Sequence, residues 1–98
     1  MTAEGQARDI ASKLEDAKAA DVRTYDVRGK SGFTDFFVVA TGAAAPHLKA
    51  LARALPRAHR VSGEPESGWV VADYVDVVVH LFSAEARAYY ALEKLWAT

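Results

Sequence analysis

Two apolar runs, Trp69 to Ala72 and Asp76 to Phe82, are joined only by Asp73-Tyr74-Val75, and this arrangement constrains the chain more than any other feature. Both runs are rich in valine and aromatic residues, so they predict an antiparallel hairpin. A third run, Phe36-Phe37-Val38-Val39-Ala40, is unbroken and too short for a helix, which predicts a strand covered on both faces. In Val22 to Val27 the polar Arg23, Thr24 and Asp26 interleave, as expected of a short edge strand, and Arg60 to Ser62 predicts a brief one.

Helical spacing fills the intervals. Ala7, Ile10, Leu14 and Ala17 recur on one face from about Ala3 to Ala20, with Asp9–Lys13 and Glu15–Lys18 placed to pair across turns. A second helix spans about Ala44 to Leu55, with Pro46 in its first turn, the stripe Leu48, Leu51, Ala52 and Leu55, and Pro56 as its stop. Ser83 is the natural N-cap of a third, which is expected to run to about Trp96 with Tyr89, Leu92 and Trp96 on one face. Arg28-Gly29-Lys30-Ser31-Gly32 reads as a turn, and Gly63 to Gly68 as a loop. The order α-β-β-α-β-β-β-α predicts an α/β fold, one mixed sheet packed with helices.

A chain of 98 residues makes one domain, taken here as 1–98. It has no cysteine, which removes disulfides, thiolate metal sites and cysteine nucleophiles. Acids at Glu4, Asp9, Glu15 and Asp16 break up the N-terminal segment, so neither a signal peptide nor a membrane span is expected, and the default address is cytoplasmic. The net charge of −1 hides a strong polarity. From Phe36 to Gly63 there is no acid, but there are Lys49, Arg53, Arg57 and Arg60; from Val61 to Ala86 there is no Lys or Arg, but there are Glu64, Glu66, Asp73, Asp76 and Glu85. Such a field can steer a charged partner to one side, although a run of charge is more often a solvated face.

Catalytic patterns are weak. His47, His59 and His80 have neither the spacing nor the companions of a zinc site. Asp76 and His80 share a strand face, but about 13 Å of strand separates them, beyond proton-transfer reach. No serine sits in G-x-S-x-G, and the 28–32 turn has glycines and a lysine but no phosphate-loop spacing. Lys49, Arg53 and Arg57, spaced by four, could make an auxiliary contact with an RNA backbone, though Pro56 interrupts the last step. Trp69 follows an acidic loop and opens the hairpin; it suits either a core or a protein-binding hot spot.

Four blocks in order then carry a resemblance: Thr34-Asp35-Phe36-Phe37-Val38-Val39-Ala40-Thr41-Gly42; His47; Trp69 through His80; and Arg87 through Trp96. Together they resemble the ribosomal silencing factor (Iojap-like) family over about Asp9 to Trp96. The resemblance implies a nucleotidyltransferase-like topology without the catalytic glycine-serine and acid-x-acid pair, and so no enzyme activity. It also implies a protein that binds the large ribosomal subunit through ribosomal protein number fourteen and blocks joining of the small subunit, repressing translation. The family's contact surface maps onto Trp69, Tyr90, Asp73, Asp76 and His80, with Glu93 and Asp35 completing an acidic rim. No cofactor is implied. A nucleotide-binding or nucleotidyl-transfer enzyme is the alternative.

The chain departs from the family pattern in four places. The stretch between His47 and Gly63 is shortened, Ser62 replaces a glutamate, Ala44-Ala45-Pro46 replaces a polar-basic stretch, and Val75 replaces a turn glycine. A valine at positive φ is strained, so that turn is expected to take another conformation. An exposed edge at Val22 to Val27, together with relatives that form dimers, leaves room for a homodimer.

Overall fold

In the computed structural model, which describes residues 2–30, 32 and 34–95, the apolar runs become strands whose successive side chains part to opposite faces. Helix α1 (Ala3–Asp16) starts where the Thr2 hydroxyl accepts from Gly5 N–H at 3.0 Å, and it buries Ala7, Ile10 and Leu14. The expected Asp9–Lys13 pair forms at 2.9 Å. The helix stops at Asp16 rather than near Ala20, because Lys18 turns left-handed (φ 72). Lys18 N–H then donates to the Glu15 carbonyl and Ala19 N–H to that of Leu14, satisfying the helix end. Lys18 therefore meets Glu15 through its backbone instead of through the expected ion pair.

Strand β1 (Ala20–Asp26) leads to β2 (Phe36–Gly42), then α2 (Ala45–Ala54), β3 (Arg60–Glu64), β4 (Trp69–Asp73), β5 (Val77–Ser83) and α3 (Ala84–Tyr90). The sheet order is β1-β2-β5-β4-β3; β2 and β5 run parallel and the other neighbours antiparallel, the mixed sheet expected. β1 is an edge, as its polar interleaving predicts, and Phe36 to Ala40 is buried on both faces. Phe36, Val38 and Ala40 join Val77, Val79, Leu81, Val70 and Ala72 against α1 and α2, forming the main core. Ala44 makes no side-chain cap on α2, and the His47 ring instead pins the turn before the helix. Its Nδ1 accepts from Ala43 N–H at 2.9 Å, and its Nε2 lies 3.0 Å from the Ala17 carbonyl, tying α2 to the end of α1.

The connections differ from expectation in three places. Gly63 and Glu64 belong to β3 and only Pro65–Ser67 coils, as a 3-10 turn. The hairpin turn does place Val75 at φ 74, half-exposed at 55%. The Asp73 carboxylate holds it there by accepting Val75 N–H at 2.7 Å, while Tyr74 N–H donates to the Val77 carbonyl at 2.8 Å. The last helix is not continuous: α3 ends at Tyr90, Ala91 turns left-handed (φ 47), and Leu92–Leu95 forms a 3-10 turn. Ser31 and Trp96, both named in the sequence reading, lie outside the described residues. Among the described residues, no helix is long and apolar enough to cross a membrane.

Candidate docking surface

Alternation sends Val70 and Ala72 into the main core, so Trp69, Val71 and Asp73 face the other side of the sheet. The register sets Trp69 opposite Phe82 and Val71 opposite His80 on β5, and sets His80 opposite Val39 on β2. This second face carries a cluster of rings. Trp69 lies 5.1 Å from Phe82 and 4.6 Å from Tyr90, measured between centroids, and Phe37 lies 5.2 Å from His80. Helix α3 delivers Tyr90 from its last turn. Its first turn is fixed by Ser83, whose hydroxyl accepts Ala86 N–H at 3.1 Å as the sequence predicts.

The aromatic pair is neither sealed nor bare. Trp69 is partly buried and Tyr90 is 49% exposed, so the two rings present an apolar patch at the end of the sheet. Tyr89 is 81% exposed and edge-on to Tyr90 (5.1 Å, 87°), and the break at Ala91 parts it from Leu92, with which it was expected to share a helix face. Adjacent residues on a helix diverge by about 100°, so Tyr89 and Tyr90 cannot both point to one side. That spacing was the signal available in the sequence. Beside the tyrosines lies a groove of about 480 Å³, lined by Pro65, Glu66, Ser67, Glu85, Tyr89 and Tyr90.

His80 does not reach the surface. At 8% exposure it sits beneath Trp69, and its Nδ1 accepts from the indole N–H at 3.2 Å. Burial lowers its pKa to about 4, so the ring is neutral at pH 7. Its Nε2 is buried without a hydrogen-bond partner. Asp76 lies in the hairpin bend, outside β5, so it does not share a strand face with His80 as expected.

The acids divide into two groups. Asp35, Asp73 and Asp76 gather at the hairpin end, where Asp35 N–H donates to the Asp76 carbonyl at 3.0 Å. Four residue steps along β4, about 13 Å, separate Asp73 from Trp69. Glu93, expected on the rim, is turned inward: it pairs with Arg87 (Nε to Oε1, 2.6 Å) and accepts from the Tyr25 hydroxyl. The Arg87 guanidinium lowers its pKa. Arg87 also donates to the Asp21 carbonyl and the Thr41 hydroxyl, each at 2.8 Å, which makes it the clasp between α3 and the β1–β2 pair. The sequence reading did not single it out, because its partners lie far along the chain.

Among the described residues, Glu64, Glu66, Asp76 and Glu85 form no ion pair within the chain, and no group of three or more His, Asp or Glu is placed to hold a metal ion. The surface thus combines half-exposed aromatic rings with unneutralised carboxylates. Such a surface favours a basic partner that offers apolar contact at its centre.

The family model described as "Ribosomal silencing factor during starvation" matches residues 1–98. Two relatives named ribosomal silencing factor are 40% identical (Treponema pallidum; 98% of this chain, 94% of the relative) and 34% identical (Bacillus subtilis; 88% and 80%). The crystal structure of a protein from Chromobacterium violaceum superposes with a TM-score of 0.93 at 28% identity, covering 99% of this chain and 88% of that one.

Proposed function

This chain belongs to the ribosomal silencing factor family, and from that premise we propose that it docks on the large ribosomal subunit in the cytoplasm and silences translation by occupancy. The finer reading is that Trp69 and Tyr90 anchor on the basic ribosomal protein number fourteen. Asp35, Asp73 and Asp76 meet its cations, and the bound chain stands where the small subunit would join. His80 acts from below by holding Trp69 in place, and Glu93 acts by fixing the last turns. No bond-making is part of this reading.

The observation that carries it is the 4.6 Å packing of Trp69 on a half-exposed Tyr90, beside a groove lined by Glu66 and Glu85, which form no ion pair within the described residues. Central aromatic anchors of this kind carry most of the binding energy of an interface, while charged rims set on-rate and register.

Co-sedimentation with purified large subunits tests the reading. Trp69→Ala is expected to weaken binding at least thirtyfold, about 2 kcal/mol, and to restore subunit joining in a translation assay. A Trp69→Ala protein that is folded and binds as the parent does would sink it. A thermal-shift titration with nucleotide and magnesium separates the alternative enzyme reading, which requires stabilisation by nucleotide alone.

A further inference from the structure

Arginine pairing divides the chain in two. Arg8, Arg23, Arg28 and Arg87 each hold a carboxylate of their own chain, on Glu4, Asp21, Asp26 and Glu93 respectively. Among the described residues Arg53, Arg57 and Arg60 hold none, and neither does Lys49. No acid occurs from Phe36 to Gly63 to neutralise them. Arg60 pairs in register with Asp73, so it projects to the aromatic face. The other three lie with α2. Leu48 and Leu51 are buried against the sheet, which leaves Lys49 and Arg53 exposed on the outer side of the helix. Arg57 follows in a segment held at both ends. The Pro56 carbonyl accepts from the Tyr74 hydroxyl at 2.5 Å, and Ala58 packs on the core.

We propose that α2 and the turn after it form a second docking surface, in which Lys49, Arg53 and Arg57 bind the phosphate backbone of RNA on the helix-covered side of the sheet. Two observations favour RNA over an acidic protein. The exposed side chains beside these cations on α2 are the small Pro46 ring and the methyls of Ala50 and Ala54, and none of the large exposed hydrophobic residues (Val61, Val75, Tyr89 and Tyr90) lies on this helix. A protein interface needs buried apolar or aromatic anchors, whereas phosphates need only cations on a surface that can come close. The segment has no Phe, Tyr or Trp for stacking on bases, and its His47 ring is held between the Ala43 N–H and the Ala17 carbonyl, so contact is to the backbone and independent of sequence. The opposite placement of the two surfaces allows protein on the ring-bearing face and RNA on the helical one.

The test is a fluorescence-anisotropy titration of a labelled RNA duplex of about 20 base pairs in about 50 to about 200 mM KCl, repeated as co-sedimentation with purified large subunits. With three phosphates engaged, log K against log salt is expected to fall with a slope of about −2.7 for naked duplex. Each of Lys49→Ala, Arg53→Ala and Arg57→Ala is expected to flatten the slope by about one, and the triple variant to lose duplex binding. The same triple variant should flatten the salt dependence of subunit binding. Trp69→Ala should leave the duplex slope unchanged, so failure of protein docking and failure of RNA docking read separately. The proposal is overturned if the parent chain does not bind duplex at the lowest salt, or if the triple variant matches the parent in slope. It is also overturned if charge-matched polyglutamate displaces the duplex as well as unlabelled RNA does, which would assign the patch to an acidic protein.

Discussion

The indole N–H of Trp69 points at Nδ1 of His80, 3.2 Å away. An indole nitrogen can only donate, so Nδ1 carries no proton and the imidazole is the Nε2–H tautomer. The buried Nε2–H is therefore a donor without an acceptor. Protonating Nδ1 would break the bond to Trp69 and place a charge in the ring cluster. Ring burial and the Trp69 bond thus both keep His80 neutral.

A pH dependence follows. His80 titrates at about 4 when folded and near 6.5 when unfolded, so between those values the unfolded chain binds the extra proton. Stability is expected to fall as the pH drops from 6.5 towards 4, by ~3 kcal/mol at the lower end. His80→Asn keeps an acceptor near the indole but does not titrate. Urea melts at pH 7 and pH 4.5 should show a much smaller pH effect in the variant. Equal pH effects in both proteins would remove His80 as the cause.

The hairpin turn makes a different prediction. Val75 occupies φ 74, where a β-branched side chain costs about 1–3 kcal/mol. Val75→Gly relieves that strain and returns about 0.4–1 kcal/mol of chain entropy to the unfolded state. The net expectation is stabilisation of about 1 kcal/mol, or a Tm higher by about 4–8 °C. A lower Tm would mean that the valine makes packing contacts worth more than its backbone costs.

Removing the Arg87 guanidinium tests the clasp. Arg87→Met keeps the stem but leaves Glu93 beside Tyr25 with no cation, and the Thr41 hydroxyl without its donor. Loss of a partly buried charged hydrogen bond typically costs about 1.5–3 kcal/mol. Hydrogen exchange should speed up first in α3 and the 3-10 turn, with α1 and α2 unaffected at first. Glu93 has its pKa lowered by Arg87, so its contribution is present above the unfolded carboxylate pKa and lost as the pH falls through the folded one. The same loosening is expected of the parent chain in acid.

Gly63 carries the fourth prediction. It sits at φ 84, and a Cβ there would lie 2.3 Å from the Trp69 carbonyl oxygen. Gly63→Ala must push β3 away from β4 and so disturb the strand that carries Trp69. Expected are a lower melting temperature and weaker binding to large subunits than the parent shows, read from thermal melts and co-sedimentation.

Local pattern made much of this legible. The hairpin, the doubly covered Phe36 to Ala40 strand, the Ser83 cap and the edge position of β1 each depend on a few neighbouring residues, and each appears as its spacing predicts. What depends on distant partners did not show. The last helix breaks after Tyr90, where Glu93 turns back to Arg87 and, across nearly the whole chain, to Tyr25. Without that contact in view, Glu93 reads as an ordinary solvent-facing acid. The depth of His80 is hidden for a similar reason, since it depends on rings supplied by β2, β4 and β5. The clustering of cations on α2 was visible in the sequence, but that they stay unpaired was not.

The parallel pairing of β2 with β5 has a consequence for synthesis. Phe36 finds its neighbour only at Val77, after α2, β3 and β4 have been made, and two central strands cannot close a sheet when one is absent. A nascent chain halted before β5 therefore leaves one edge of β2 unpaired and its core side chains without Val77, Val79 and Leu81 beside them. Assembly has to wait until β5 has been read, so a product truncated before it would be a substrate for proteases rather than a weaker version of the factor.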